Sequence, residues 1–169
     1  DNVYSMEFDG VDDYFNLGNI TALTSSSNFT ISGWFNQTTL DQYKILFGQS
    51  GGVSSILGAY TFTDGNMYVD LRNGSSTYGY FDYSAVISAG TWFHLAMVFD
   101  GSGASNSDRL KLYINNSEIT LTYNGTIPSS TSSSVLDFQL GNITGYSRYW
   151  LGNICLLYTS DAADEGSSV

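Results

Sequence analysis

Apolar and polar residues alternate with a period of two along most of the chain, and helical periodicity is scarce. The alternation predicts about a dozen short strands, at residues 3–8, 14–17, 29–35, 44–49, 55–61, 67–72, 78–83, 92–99, 110–114, 119–123, 135–140 and 149–154. The segment 92–99 is the strongest candidate for a central strand.

Turn residues separate these segments at short intervals. Asp9-Gly10, Asn73-Gly74 and Asn115-Asn116 are hairpin or turn signals. Many short strands joined by turns indicate an all-β protein, specifically a two-sheet antiparallel β-sandwich or jelly roll. Because the composition does not shift before Cys155, we expect one domain over residues 1–154.

The composition of the 169 residues excludes several functional classes. The 42% hydrophobic and 15% aromatic content argues against a disordered chain. Five Lys and Arg residues against sixteen Asp and Glu residues give a net charge of −11, which argues against nucleic acid and anionic membranes as partners. No apolar run reaches the roughly 20 residues of a membrane helix, so we expect no membrane insertion. An acidic surface rich in Ser, Thr and Asn favours an extracellular, cell-surface or virion-surface location.

Two acidic segments are candidates for binding Ca²⁺, a hard cation that prefers oxygen ligands. One contains Asp9, Asp12 and Asp13 within five residues, and the other is the loop from Asp100 to Asp108. The spacing is not that of an EF-hand. The alternative for both is structural: Asp9-Gly10 caps a turn, and 100–108 is a solvated connection.

Aromatic residues cluster on the hairpins predicted around residues 55–83. An exposed tyrosine ring can stack on the apolar C–H face of a sugar, whereas a buried ring belongs to the core. Alternation alone does not say which face meets solvent. The candidate ligand-binding residues are Tyr60, Tyr68, Tyr78, Tyr80 and Tyr83, with Phe81 in the same cluster.

Catalytic patterns are weak. Glu7-x-Asp9-x-x-Asp12 resembles the E-x-D-x-x-E motif of laminarinase-type glycosidases, but its last acid is Asp and it precedes a turn near the start of the chain. His94 is the single histidine, so neither a triad nor a zinc site is supported, and a packed sheet histidine is expected. We therefore expect no enzymatic activity.

Four segments, taken in order, resemble the laminin-G-like domains of the concanavalin A-like lectin and glucanase superfamily. Residues 5–14 resemble its opening pattern L-x-F-D-G-x-D-D-Y, and residues 29–34 resemble F-T-I-S-x-W. Residues 89–96 resemble G-x-W-x-H-V-A, and residues 112–116 resemble L-Y-V-D-G with Asn at both turn positions. The resemblance implies a jelly-roll sandwich that serves as a noncatalytic binding or adhesion module, in some members with a glycan or Ca²⁺.

The last segment departs from this resemblance. Residues 155–165 resemble the translation of a sequencing adapter read in frame, which predicts a non-native tail at 155–169 on a truncated environmental reading frame. The family's closing strand would then be lost, although Leu156 and Tyr158 fit its pattern.

Three functional hypotheses follow. The first is a noncatalytic module of a larger extracellular or virion-surface protein, which binds a glycan or another surface ligand through aromatic stacking and Asn/Asp hydrogen bonds. The second is a structural or adhesion module of a phage tail or capsid protein that packs against other domains of its parent. A glycosidase is the third and least supported.

Overall fold

Most of the strands lie where the alternation of apolar and polar residues predicts them. The computed structural model describes residues 5–40 and 42–160. In this part the strands are β1 (Met6–Asp9), β2 (Phe15–Asn19), β3 (Asn28–Gln37), β4 (Lys44–Ser50), β5 (Ile56–Thr61), β6 (Asn66–Leu71), β7 (Tyr78–Asp82), β8 (Trp92–Asp100), β9 (Leu110–Ile114), β10 (Ser117–Ile119), β11 (Thr122–Asn124), β12 (Asp137–Leu140) and β13 (Leu151–Ser160).

These strands form two antiparallel sheets. Within the described residues, one sheet has six strands in the order β1-β13-β3-β8-β9-β10, and the other has seven in the order β11-β7-β6-β5-β4-β12-β2. The predicted all-β sandwich is therefore confirmed. The Asn115-Asn116 turn between β9 and β10 is also present, with both residues at positive φ (49° and 68°), a conformation that Asn tolerates.

The core lies between the two inner faces. Phe35 at its centre is fully buried, and its ring lies 5.9 Å from that of Phe93 in its own sheet. The ring centroids of Phe47 and Trp150, 6.1 and 6.2 Å away, complete the packing. Because alternate residues of each strand face this core, the residues between them face outward.

Two local predictions were wrong. Residues 119–123 do not form one strand: β10 pairs with β9 in the six-stranded sheet, whereas β11 pairs with β7 in the seven-stranded sheet. The chain crosses between the sheets at Leu121, which is buried and so continues the apolar alternation. The loop 100–108 also contains the first residues of a helical turn, α1 (Asn106–Arg109).

Strand β13 continues beyond the predicted domain boundary at residue 154. It pairs with β1 through Leu151–Ile154 and with β3 as far as Ser160, with a register shift between Cys155 and Tyr158. The segment 155–160 therefore occupies strand positions, which does not establish its origin. The non-native tail stays a prediction, and its residues 161–169 lie outside the described part of the chain.

The loop 141–149 covers one half of the outer face of the seven-stranded sheet. Gly48 and Gly58 lie opposite each other on β4 and β5. A Cβ atom on Gly58 would lie 2.6 Å from the Phe47 carbonyl oxygen and 3.2 Å from Cδ1 of Ile143 in this loop. The glycine pair thus allows the loop to pack directly on the sheet, and it leaves the other half of the face, over β5, β6 and β7, uncovered.

Gly58→Ala should destabilise the protein, because the new methyl group on β5 would press against the β4 backbone at Phe47 and against Ile143 of the loop 141–149. Overpacking of this kind costs about 1–3 kcal/mol. Urea denaturation would measure the free energy of unfolding, with Ser133→Ala at an exposed position as the control. Equal stabilities of the two variants would contradict the close packing of the loop.

Candidate functional site

A ladder of stacked tyrosines crosses the uncovered half of the seven-stranded sheet. Tyr60, Tyr68 and Tyr80 lie opposite one another on β5, β6 and β7, so their side chains share the outer face. The Tyr60 and Tyr68 ring centroids are 5.3 Å apart with an interplanar angle of 6°, and those of Tyr68 and Tyr80 are 5.4 Å apart at 22°. All three are partly exposed. Their rings form a continuous aromatic surface.

Other side chains turn this surface into a groove. Tyr78 and Phe62 pack edge-on against Tyr68, with centroids at 5.5 and 6.0 Å. Together with Arg72 these residues line a groove of about 240 Å³. Its walls are therefore aromatic, with one guanidinium group among them.

The phenol groups of Tyr60 and Tyr68 stay protonated and can form hydrogen bonds. The Tyr68 hydroxyl donates to Asp64 Oδ2 at 2.7 Å. Burial, followed by this hydrogen bond, raises the pKa of Tyr68. Burial and the nearby Asp70 carboxylate raise the pKa of Tyr60. At neutral pH these phenols therefore keep their protons and can exchange hydrogen bonds with a neutral ligand.

A buried ion pair lies beside the ladder. Asp70 Oδ2 accepts a hydrogen bond of 2.7 Å from Arg72 Nη2, and the Asp70 side chain is only 1% exposed. Burial raises the pKa of Asp70 to about 6, although the Arg72 guanidinium acts in the opposite direction. Within the described residues, Asp70 Oδ1 and Arg72 Nε have no hydrogen-bond partner. The ion pair and a hydrogen bond of 3.1 Å from Arg72 Nη1 to the Val53 carbonyl oxygen hold the Arg72 guanidinium group in place at the groove.

A second, wider groove adjoins the first and has a volume of about 540 Å³. The Gly10 turn, the segment 42–44, Phe62 and the loop 147–149 line it. Lys44 and Arg148 are its cationic groups, and the Arg148 guanidinium lies over the Tyr43 ring, 4.9 Å from the centroid. Tyr43 in turn packs against Tyr60 at 5.4 Å, so the aromatic surface is continuous between the grooves.

The family of the chain is shown by its sequence. The Laminin_G_3 family model, described as "Concanavalin A-like lectin/glucanases superfamily", matches residues 9–163. The chain belongs to the concanavalin A-like lectin/glucanase superfamily. No curated protein matches it in sequence. Solved structures of similar fold cover 92–98% of the chain.

Three such structures illustrate the similarity of fold. The CBM40 of the Ruminococcus gnavus IT-sialidase has a TM-score of 0.65 and 16% identity, with coverage of 97% of this chain and 96% of that one. Domains LG4-5 of the mouse laminin α1 chain have a TM-score of 0.64 and 15% identity, with coverage of 92% of this chain and 40% of that one. The SAP-like pentraxin of Limulus polyphemus has a TM-score of 0.61 and 17% identity, with coverage of 92% of this chain and 74% of that one. The chain thus spans less than half of the laminin fragment.

The structure separates the predicted ligand-binding tyrosines. Tyr60, Tyr68 and Tyr78 line the groove, and Tyr80 stacks on Tyr68 beside it. Tyr83, in contrast, is fully buried in the core of this concanavalin A-like sandwich. Tyr83 lies beyond the end of β7, an odd number of residues from Tyr78 and Tyr80, so its side chain faces inward with Phe81. Its inclusion in a ligand-binding surface is therefore wrong.

The first candidate metal site is a compact, exposed turn. One carboxylate oxygen from each of Asp9, Asp12 and Asp13 can be chosen so that all three lie within 4.8 Å of one another. The Asp9 amide donates to Asp13 Oδ2 at 3.0 Å, and the Val11 amide donates to Asp9 Oδ1 at 2.8 Å. The arrangement offers three of the six to eight oxygens that Ca²⁺ takes, so the donors suit the ion but do not surround it.

The second candidate metal site has a local structural use. Asp100 accepts hydrogen bonds from the amide and hydroxyl groups of Ser102, which lower its pKa. Asp108 forms a capping box with Ser105 at the start of α1, and those hydrogen bonds lower the pKa of Asp108. The two loops lie at opposite ends of β3, roughly 30 Å apart, and do not form a joint site.

The remaining sequence candidates lie on the six-stranded sheet. Glu7 is exposed on edge strand β1, opposite Asn153. His94 packs its ring edge-on against Trp34, with centroids 5.3 Å apart. Neither residue lines the grooves described above.

Sequence reasoning did not single out several residues in or beside the grooves, among them Asp70, Arg72, Tyr43 and Arg148. Asp70 and Arg72 share the even-numbered phase of Tyr68 along β6, so extending the alternation would have placed them outward. Tyr43 and Arg148 lie outside regular strands, and no periodic signal locates them.

The raised pKa of Asp70 predicts a pH dependence of stability. The folded state favours the protonated carboxyl group of Asp70. The stability that this group contributes to the folded state is therefore complete below its unfolded pKa of 3.8, and it is lost as the pH rises through the folded pKa of about 6. Relative to Asp70→Asn, the free energy of unfolding of the unmodified chain should fall by about 2–3 kcal/mol between pH 4 and 7.5. Urea denaturation of both proteins across this range tests it. Parallel pH profiles would show that Asp70 does not titrate in this way.

Proposed function

We propose that the protein is a noncatalytic carbohydrate-binding module whose sugar site is the tyrosine-lined groove on the outer face of the seven-stranded sheet. The observation that carries the proposal is the stack of Tyr60, Tyr68 and Tyr80, which remains partly exposed on the outer face of the sheet. The rings are held in fixed register by their mutual stacking, so they form a preorganised aromatic surface against which a pyranose ring can pack at a low cost in conformational entropy.

The surrounding groups supply the polar contacts that such a site needs. Arg72 and the neutral phenol groups of Tyr60 and Tyr68 can hydrogen-bond sugar hydroxyl groups at the edge of the platform. A structure of similar fold supports this assignment, since the CBM40 of the Ruminococcus gnavus IT-sialidase has been solved bound to α2,3 sialyllactose. A module of a larger extracellular or surface protein fits these features. Within the described residues, no helix is long and apolar enough to cross a membrane.

Tyr68→Ala should weaken glycan binding about tenfold, which corresponds to the ~1.4 kcal/mol typical of an aromatic contact. Tyr68→Phe keeps the ring and should retain most of the affinity. Tyr113→Ala removes a partly buried tyrosine from the opposite sheet and serves as the matched control. A glycan array on the unmodified chain would identify the ligand, and isothermal titration calorimetry of the variants would measure the affinities.

The array itself can contradict the proposal. A chain that melts cooperatively but binds no glycan would favour a structural module that packs against other domains of its parent. Glycan binding that is unaffected by Tyr68→Ala would place the sugar elsewhere on the molecule.

We further propose that Ca²⁺ binds the Asp9–Asp13 turn and stabilises it, without contacting the sugar. The melting temperature should then rise in about 5 mM Ca²⁺, above the roughly 10⁻⁴–10⁻³ M dissociation constants of extracellular sites. EDTA or Asp12→Asn should abolish the rise, whereas Glu7→Gln, which removes an exposed acid from the same strand region, should leave it intact. An equal rise in all three proteins would exclude this turn as the site.

A further inference from the structure

The few cations of this acidic chain are unevenly distributed. Of its five Lys and Arg residues, Arg109 binds the carbonyl oxygens of Gly103 and Ile127, and Lys111 lies on β9 of the six-stranded sheet. The other three, Lys44, Arg72 and Arg148, line the two adjoining grooves on the outer side of the seven-stranded sheet. Because Arg72 is paired with Asp70, the unpaired positive charge of these grooves lies in the wider one, at Lys44 and Arg148.

The wider groove has cationic walls with no matching acids. Lys44 and Arg148 line it, whereas none of the described residues that line it is acidic, although the chain has sixteen Asp and Glu residues. Among the described residues, neither cation has a carboxylate within ion-pair distance. Arg148 is exposed, and its guanidinium uses one hydrogen bond, from Nη1 to the Ser147 carbonyl oxygen.

Arg148 is held in place by its surroundings. Its carbonyl oxygen accepts from the Ile45 amide at 2.9 Å, and its own amide donates to Asn142 Oδ1. Its guanidinium lies over the Tyr43 ring. These contacts orient the side chain along the groove before a ligand arrives.

Lys44 experiences the charge of Arg148. Its pKa is lowered first by burial and then by Arg148, while Asp9 acts more weakly in the opposite direction. Its ammonium group donates to the Gly10 carbonyl oxygen at 3.3 Å. Two cations close enough to repel each other would both gain from an anion placed between them.

Given the sugar site proposed above, on which this inference rests, we propose that Lys44 and Arg148 form a subsite for an acidic group, carboxylate or sulfate, of the bound glycan. The grooves are continuous, because Phe62 lines both and packs against Tyr43 with centroids 4.9 Å apart. One ring of the glycan stacks on the tyrosine ladder while the acidic group of a neighbouring ring reaches Lys44 and Arg148. Guanidinium groups suit both anions, since two parallel N–H donors match two oxygens.

The test compares charged and neutral forms of the same oligosaccharides by isothermal titration calorimetry. The carboxylate arm uses trigalacturonic acid against its methyl ester, and the sulfate arm uses a sulfated carrageenan tetrasaccharide against its desulfated form. We expect at least a tenfold preference for the acidic form in one arm, about the contribution of one charge-assisted contact pair. Combined Lys44→Gln and Arg148→Gln should remove the preference, whereas Lys111→Gln, which removes one positive charge from the other sheet, should not.

A spectroscopic readout locates the anion directly. The chain has three arginines, so its ¹H–¹⁵N spectrum contains three Nε–H signals. Titration with the acidic oligosaccharide should shift the Arg148 signal and leave that of Arg109 unchanged. Melting curves of the variants verify folding.

The outcomes separate the two proposals. Equal binding of acidic and neutral forms overturns the anion subsite and leaves the sugar site intact. A preference for the acidic form that persists in the double variant also overturns the subsite. Binding of the acidic oligosaccharide that is weakened by substitution of Arg148 but not by substitution of Tyr68 supports the anion subsite and overturns the proposed sugar site on the tyrosine ladder. No binding in either arm overturns both.

Discussion

Phe35, Phe47, Phe93 and Trp150 bring the two sheets together, and the placement of every outward-facing residue depends on this contact. Their rings fill the space between the inner faces, with centroid distances of 5.9–6.2 Å between Phe35 and its three neighbours. Because the core takes one face of each strand, the opposite face is committed to solvent, to loops or to ligands. The phase of the core thus determines which tyrosines are available for binding.

The outer face of the seven-stranded sheet is divided by what covers it. Over β4 and the adjoining part of β5, the Gly48–Gly58 pair allows the loop around Ile143 to lie on the backbone. Over β5, β6 and β7, bulky tyrosines take the equivalent positions and stay partly exposed. The same loop also carries Arg148, whose guanidinium group lies at the edge of the aromatic surface. The loop that packs on β4 and β5 therefore also places a positive charge next to the exposed tyrosines.

The fold could be predicted from the sequence more completely than the candidate binding site. Alternation identifies strands whichever sheet they join, so it predicted one strand over residues 119–123 and missed the crossover at buried Leu121, which separates β10 from β11. The tyrosine ladder was predictable as a cluster, and the phase that separates Tyr83 from Tyr80 was already present in the numbering. Arg148 was not predictable, because its position depends on loop contacts with Ile45 and Asn142 that no local pattern encodes.

The position of β13 in the six-stranded sheet affects how the chain folds during synthesis. Residues 151–160 lie between β1 and β3, which come from the opposite end of the described chain. Until this segment leaves the ribosome, the edges of β1 and β3 have no pairing partner between them, and the cost of closing such a long loop slows folding. A chain in which residues 151–160 have not yet been synthesised therefore exposes the edges of β1 and β3, and this topology favours chaperone binding or aggregation at that stage.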